Sequence, residues 1–362
     1  MKIACFGDFH GNKFKEFDEP SSITGSKRLD IQVDALNQIK SYCLNNSIKI
    51  LAFSGDFYNT RGKVDTVVYN ALYDCIKDIG KAGITVLMIA GNHDQYDNSD
   101  VPDNSLHPFK ELQNVFVYDQ PTMLEGIPGT DIKECNIACV PYSKNIEGIK
   151  NWVKGASEIS KVCLENTGIP TVLLMHAGVS GAFVGTDNYP LSDAFTPEEL
   201  FPDIFKYIIL GHFHKPQYLS GYNNAFYTGS PLQHSFSDEG EQRGFYVVDT
   251  SKRWDIQFVP IKSPMFYTIN FEDLETMGID LLKDGNYIRI LCNEKQVPLV
   301  APMLPPDSKY KLVIQKEYKE EVRVNVKVGM PFNRIISEYA KQFKPEAEQV
   351  GLSILAEVEG VK

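Results

Sequence analysis

Ile84-Thr85-Val86-Leu87-Met88-Ile89-Ala90-Gly91-Asn92-His93-Asp94 joins an apolar run to an amide, an imidazole and a carboxylate. A run of this kind, bounded by Gly83 and Gly91, reads as a buried parallel strand. Its polar residues then lie at the C-terminal end of the strand, where open α/β sheets place their ligands. The pattern recurs along the chain. Ile3-Ala4-Cys5-Phe6 leads into Asp8 and His10, and Ile48 to Phe53 leads into Gly55-Asp56. Thr171 to Met175 leads into His176, and Tyr207 to Leu210 leads into Gly211-His212-Phe213-His214. One histidine after a strand is ordinarily a hydrogen-bonded or surface residue. Here five of the chain's seven histidines follow apolar runs, in company with Asp8, Asp56 and Asn92, and that concentration marks one site.

Working outward from these strand ends, the helices between them are legible. Asp30 is the expected cap of a helix with the stripe Val33, Leu36, Ile39 and Cys43. With the strands on either side this makes a βαβ unit. A second helix carries Val68, Leu72, Cys75, Ile76 and Ile79 and ends at Gly80 to Gly83. Strands at Val115 to Tyr118 and Asn136 to Val140 and a helix with Ile146, Ile149 and Val153 follow. Residues 11 to 30 read as a long loop whose Lys13, Lys15, Lys27 and Arg28 would meet a phosphate backbone or simply face solvent.

After His214 the expected pieces are antiparallel: Gln217 to Ser220, Ala225 to Thr228, Gly244 to Asp249 and Trp254 to Pro260. A domain boundary is expected near 262. Met265 to Phe271, Tyr287 to Leu291, Lys311 to Gln315 and Val322 to Val328 then read as strands of a small α/β domain over 263–331. Residues 332–362 read as a helical tail with one apolar stripe from Phe332 to Phe343 and another from Ala347 to Val358.

Composition narrows the chemistry. At 362 residues with 43% hydrophobic content, the chain has room for two or three domains with a substantial core. No apolar run reaches the length of about 20 residues that a membrane span needs, and the N-terminus turns acidic at Asp8, so a cytoplasmic protein is expected. Seven cysteines, an odd number lying in strand-like and helix-like runs, do not form a disulfide framework. A net charge of −11 argues against a general electrostatic grip on nucleic acid. A polyanionic substrate would have to be held by metal ions, local basic residues or a partner. Carboxylates, imidazoles and an amide suit manganese, iron or zinc better than calcium. The donors exceed what one ion needs, and a pair of ions about 3.5 to 4 Å apart clamps the attacking and leaving oxygens of a phosphoryl centre.

Asp8-Phe9-His10, Gly55-Asp56, Gly91-Asn92-His93-Asp94, His176 and Gly211-His212-Phe213-His214 resemble, in order and kind, the motifs of calcineurin-like metallophosphoesterases. The resemblance implies a four-layer αββα sandwich, an α/β fold with a small α/β capping domain and a helical tail. It also implies that Asp8, His10, Asp56 and His214 hold one metal and that Asp56, Asn92, His176 and His212 hold the other, with Asp56 bridging. Two divalent ions are expected, manganese first, with magnesium, iron or zinc as alternatives. His93, next to a ligand, is the candidate general acid, since an imidazole titrates near neutrality. Asp94 either orients it or caps the loop.

Ile208 to Gln217, Tyr227-Thr228-Gly229-Ser230-Pro231-Leu232 and Ser235-Phe236 look like the SbcD subunit of SbcCD-type DNA repair nucleases, to which phage recombination nuclease subunits are similar. That resemblance implies DNA as substrate, a DNA-capping domain over 263–331 and a coiled-coil SbcC-type ATPase partner bound by the C-terminal helices. Packing of those helices on the protein's own core or in a homodimer stays open. The chain departs from the family at Asn59, where members carry His or Asp. An amide hydrogen-bonds a phosphate but carries no proton at neutral pH, which bears on the balance of exonuclease and endonuclease cutting. Asn59, Arg61, Lys215 and Arg243 are the candidate DNA contacts, whereas His107 and His234 lie outside the motifs, His234 either bordering the active cleft or, as the simpler reading, lying in a surface loop. Two other readings remain. One is a stand-alone phosphodiesterase or phosphatase acting on a small phosphoester. The other is a non-catalytic scaffold, which would show eroded ligands.

Overall fold

Apolar runs without alternation need burial on both faces, and the computed structural model supplies it. It describes residues 1–99, 102–183, 194–252, 255–315, 329–358 and 360. In order come β1 (Lys2–Phe6), α1 (Lys27–Asn45), β2 (Ile50–Phe53), α2 (Thr66–Lys81), β3 (Thr85–Ile89), β4 (Val115–Tyr118), β5 (Thr122–Leu124) and β6 (Asn136–Val140). Then follow α3 (Ile146–Thr167), β7 (Thr171–His176), β8 (Tyr207–Gly211), β9 (Gln217–Tyr218), β10 (Ala225–Tyr227), β11 (Gly244–Asp249) and β12 (Ile256–Pro260). One six-stranded sheet has the order β12-β11-β1-β2-β3-β4, and a second the order β5-β6-β7-β8-β10-β9.

Side chains of alternate parity on each strand enter different cores. Ile3 and Cys5 of β1, with Ile50, Ala52, Leu87 and Ile89, meet Val172, Leu174, Tyr207 and Ile209 of the other sheet. Ala4, Phe6, Leu51, Phe53, Val86 and Met88 face outward under Leu36, Ile39, Leu72 and Ile76 of α1 and α2. Leu173, Met175, Ile208 and Leu210 lie under Ile149 and Val153 of α3. The result is the αββα sandwich. A slip of one residue in any central strand would exchange its two buried faces, so both cores hold the register. Because β1, β2, β3 and β4 run parallel, as do β6, β7 and β8, the C-terminal ends that carry polar motifs gather at one edge.

Two expectations need correction. The first helix is capped by Ser26, whose hydroxyl accepts from the backbone N–H of Leu29 at 3.2 Å, whereas Asp30 falls within the first turn and accepts from Thr24. The strand β10 is parallel to β8, not antiparallel. The segment between them includes β9, antiparallel to β10, and is long enough for the chain to cross over.

The chain forms two compact units, Met1–Cys292 with Gln296–Val313 and Asn293–Lys295 with Ile314–Lys362. A third sheet has the order β13 (Phe266–Asn270), β14 (Tyr287–Cys292), β15 (Tyr310–Ile314), with α4 (Ile279–Lys283) and α5 (Val297–Met303) between its strands. It has its own apolar cluster of Ile269, Leu274, Ile288, Ile290, Val300 and Leu304. The strand expected at Val322 to Val328 lies outside the described residues. In the second unit, α6 (Phe332–Phe343) and α7 (Glu348–Val358) occupy the two striped segments. All seven cysteines are free. Among the described residues no helix is long and apolar enough to cross a membrane.

Candidate metal centre

The loops that leave β1, β2 and β8 are bent into backbone conformations that side-chain-bearing residues rarely adopt. Asp8, His10, Asp56 and His212 have φ of 48°, 49°, 62° and 114°. Such strain persists only where the surroundings hold it, and it concentrates at functional sites. Here the Asp8 N–H donates to the Gly55 carbonyl at 2.9 Å and the His10 N–H to the Asp56 carbonyl at 3.0 Å. Glycine is required where the loops converge. A Cβ on Gly91 would lie 2.2 Å from Asp56 Oδ1, and one on Gly55 would lie 2.3 Å from His176 Nδ1.

The seven residues expected to hold metal come together. Donor atoms of Asp8, His10 and His214 lie within 4.8 Å of one another, as do those of Asp8, Asp56 and His176. Asn92 Oδ1 is 3.0 Å from His176 Nε2 and 3.1 Å from His212 Nδ1. Asp56 Oδ2 stands 3.5 Å from His176 Nε2 and 3.8 Å from His10 Nε2, between the two groups. Neighbouring backbone fixes the orientations. His176 Nδ1 is 2.7 Å from the Ser54 carbonyl, which leaves Nε2 turned to the site. The His212 N–H donates to Asp8 Oδ1 at 2.9 Å.

These residues fit a pair of divalent cations. Both ring nitrogens of His10 are buried without a hydrogen-bond partner, a condition that costs about 1–3 kcal/mol per group unless something satisfies it. Burial pushes the pKa of His176 down to about 3 and that of His212 to about 4 and lowers those of His10 and His214, so the imidazoles stay neutral with lone pairs available. Burial also raises the carboxyl groups of Asp8 and Asp56, and the charge of Asp56 pushes Asp8 further. Two buried carboxylates among neutral imidazoles want positive charge.

His93 borders the same space. Its backbone N–H donates to Asp56 Oδ1 at 2.7 Å, and its ring stands edge-on to His10 with centroids 4.7 Å apart. Its Nδ1 is 2.8 Å from the Asn59 carbonyl, so Nδ1–H is committed there and Nε2 is the nitrogen left for exchange. Asp94 does not orient this ring. Its buried carboxylate accepts from the backbone N–H groups of Gly91, Asp56, Phe57 and Tyr58 at 2.8 to 3.3 Å, binding the β2 and β3 loops together. Of its two expected roles the geometry matches the loop cap.

The expected DNA contacts divide. Arg61 is exposed, with Nη1 3.1 Å from Asn98 Oδ1, and Asn59 is half-buried at the rim. Lys215 pairs with Glu241 at 2.6 Å. Arg243 is buried, pairs with Asp238 at 2.9 Å and donates to the His214 carbonyl, so it positions a motif histidine and offers no face to a substrate. Arg28 is likewise buried, packed over the rings of Phe14, Phe266 and Tyr287. Its charge satisfies the carbonyls of Glu16 and His234.

Of two further neighbours, the sequence reading set His234 aside in favour of a surface loop and missed Tyr142. His234 is not a surface residue, because its ring lies 5.9 Å from His10 and 6.3 Å from His214, and its Nε2 is 2.9 Å from Ser230 Oγ. Tyr142 stacks parallel to His212 at 6.1 Å and edge-on to His176. Tyr142 follows the apolar β6 as the motif residues follow their strands, and that position was the available signal.

Against known proteins, residues 1–216 match the family described as calcineurin-like phosphoesterase. The chain is 26% identical over 341 residues to "Exonuclease subunit 1" of Enterobacteria phage T4, covering 90% of this chain and 89% of that protein. It is 25% identical over 306 residues to the SbcD member of the SbcCD nuclease of Staphylococcus epidermidis, covering 79% and 77% of the two chains. The SbcD protein of Bacillus subtilis is 23% identical over 273 residues, covering 69% and 66%. With the family match spanning more than half of the sequence and every motif of that match at one sheet edge, the chain belongs to the calcineurin-like phosphoesterases and is a metal-dependent phosphoesterase.

Proposed function

We propose that the protein is the nuclease component of a DNA-processing complex, a two-metal phosphodiesterase that works in DNA repair or recombination with an SbcC-type ATPase. The observation that carries this reading is the gathering of Asp8, His10, Asp56, Asn92, His176, His212 and His214 at one sheet edge. The relatives whose names specify nuclease subunits match most of the chain's length, beyond the family region.

In this reading Asp8, His10, Asp56 and His214 hold one ion, and Asp56, Asn92, His176 and His212 hold the other. Manganese is the proposed metal, since the donor set mixes carboxylate, amide and imidazole. When bound, the ions supply positive charge against the phosphodiester oxygens and ease the ionisation of water. The chain's own residues do the rest. Ser54 and Asp8 hold His176 and His212 in place, and Arg243 holds the His214 backbone. With Nδ1 committed to the Asn59 carbonyl, His93 delivers a proton from Nε2 to the departing oxygen.

The acidic balance of −11 and the pairing of Lys215 by Glu241 support a partner that supplies much of the DNA affinity. Helices α6 and α7 are the proposed docking element, with exposed Phe332, Tyr339, Phe343, Val350, Ile354 and Val358. The test is nucleotide release from linear duplex DNA in manganese by the purified chain, beside a small chromogenic phosphodiester and His93→Ala. DNA degradation lost in His93→Ala is the expected result. The pairing of Lys215 by Glu241 and the burial of Arg243 favour one other reading, a phosphodiesterase for small esters. That reading requires hydrolysis of the small ester alone, unchanged when an ATPase partner is added.

A further inference from the structure

The imidazoles proposed as ligands are not held alike. His176 has its Nδ1 2.7 Å from the Ser54 carbonyl, the kind of hydrogen bond that ordinarily fixes the ring of a ligating histidine. His10 has none, since both its ring nitrogens are buried and without a hydrogen-bond partner among the described residues. The χ2 torsion of an imidazole is broad and roughly two-fold, so without such a bond the plane of the ring must be set by packing. Three imidazoles supply it: His214 tilted at 4.5 Å between centroids, and His93 and His234 nearly perpendicular at 4.7 and 5.9 Å. In the reading above His93 exchanges a proton and His214 is itself a ligand, whereas His234 has neither duty. We infer that His234 is a positioning residue for the first ion, setting the plane of His10; the inference rests on the two-metal reading.

His234 is anchored well enough to do this. The Ser230 hydroxyl donates to the Leu232 carbonyl at 2.8 Å, so its oxygen accepts from His234 Nε2 at 2.9 Å. The His234 N–H donates to Asp238 Oδ2 at 2.8 Å, and Arg28 Nη2 donates to the His234 carbonyl at 3.0 Å. Phe14 stacks on the ring with centroids 5.0 Å apart, and the Arg28 guanidinium packs over Phe14 in turn. Backbone, Nε2 and ring face are all engaged, so the ring cannot turn away from His10.

The same frame serves the other histidine of that ion. Asp238 pairs with Arg243, which donates to the His214 carbonyl, and the His234 ring stands 6.3 Å from that of His214. His176 and His212, proposed for the second ion, pack against Tyr142 instead. Loss of the His234 ring should therefore reach one ion and spare the other.

The test is stepwise addition of manganese to the metal-free full chain, read by calorimetry for affinity and by electron paramagnetic resonance, in which a spin-coupled pair differs from a lone ion. In His234→Leu one ion should bind roughly 10- to 100-fold more weakly, the range for residues that orient ligands, while the other binds as in the wild type. At manganese concentrations that fill both wild-type sites, the variant should show a lone ion in place of the coupled pair. His234→Phe, which keeps a flat ring, should recover most of the lost affinity. Wild-type affinity for both ions in His234→Leu overturns the inference and leaves the two-metal reading standing. Equal weakening of both ions, or no recovery in His234→Phe, overturns it as well. If His234→Leu does not fold, Ser230→Ala decides, since it removes the partner of Nε2 without touching the ring: weakening of one ion alone supports the inference, and unchanged binding of both overturns it. A wild-type chain that binds one ion or none overturns the two-metal reading and the inference with it.

Discussion

The two sheets contribute unequally to the centre. Strand ends of the first sheet bring Asp8, His10, Asp56 and Asn92, which include both carboxylates and the amide, and three of these residues sit at positive φ. The second sheet brings His176, His212 and His214, only imidazoles, with one residue at positive φ. Charge is thus concentrated on one side and neutral lone pairs on the other. The site is complete only when the sheets are packed face to face, so the hydrophobic interface between them is part of the catalytic apparatus.

Substitution of the residue between the two groups should have the largest effect. Asp56→Asn is expected to abolish hydrolysis of DNA and of small diesters together and to remove bound metal, whereas His212→Asn should spare the first ion. Metal content measured beside turnover checks this, and equal loss of both ions in the two variants would break the assignment of Asp56 as the shared residue. Next comes His93→Ala, with kcat on DNA lower by about 10²- to 10⁴-fold at unchanged metal content. A diester whose leaving group is stable as an anion should lose much less, because it needs no proton.

Asp94→Asn sharpens the account of the first sheet. The carboxylate that joins the β2 and β3 loops touches no proposed ligand through its side chain except by way of the Asp56 N–H. Its change should weaken metal binding by roughly 10- to 100-fold, the range for residues that orient ligands, with kcat recovered at high metal concentration.

A smaller effect is the pH dependence of stability in the metal-free protein, where the buried imidazoles and the buried carboxylates act in opposite directions. His176 and His212 have folded pKa values near 3 and 4, below their ordinary 6.5. Their contribution is complete above 6.5 and is lost as the pH falls toward those folded values. Asp8 and Asp56 are raised by burial, so they weaken the fold as the pH climbs above the ordinary carboxylate range toward their folded values. Thermal melts in chelator should show the loss on acidification reduced in His176→Asn and the loss as the pH rises above the carboxylate range reduced in Asp56→Asn. Coincident profiles for wild type and both variants would sink the contrast. Smallest of all, Ile354→Glu in α7 should leave small-diester turnover unchanged while abolishing co-purification with an ATPase partner.

The strand ends were readable because burial on both faces forces long apolar runs, and polar residues that interrupt them at the same end stand out. All seven expected donors meet as the motif order suggested. What escaped reading depends on neighbours remote in sequence. Arg243 and Arg28 have the composition of DNA contacts, yet Asp238 and three aromatic rings bury them. His234 reads as a loop residue in sequence, but Phe14 stacks on one side and His10 and His214 approach it. The short α4 and α5 carry too few turns to show a helical period.

By itself the sequence determined the βαβ alternation, the family and a set of candidate donors, because local periodicity and residue type carry that information. Only the tertiary structure decided which charges are free. It assigned Asp94 to four backbone N–H groups and the His93 Nδ1 to a carbonyl, and it set His234 beside His10. The reason is physical: a charge or a ring acquires its role from what lies within a few ångströms, and those partners come from strands and loops far apart in the chain.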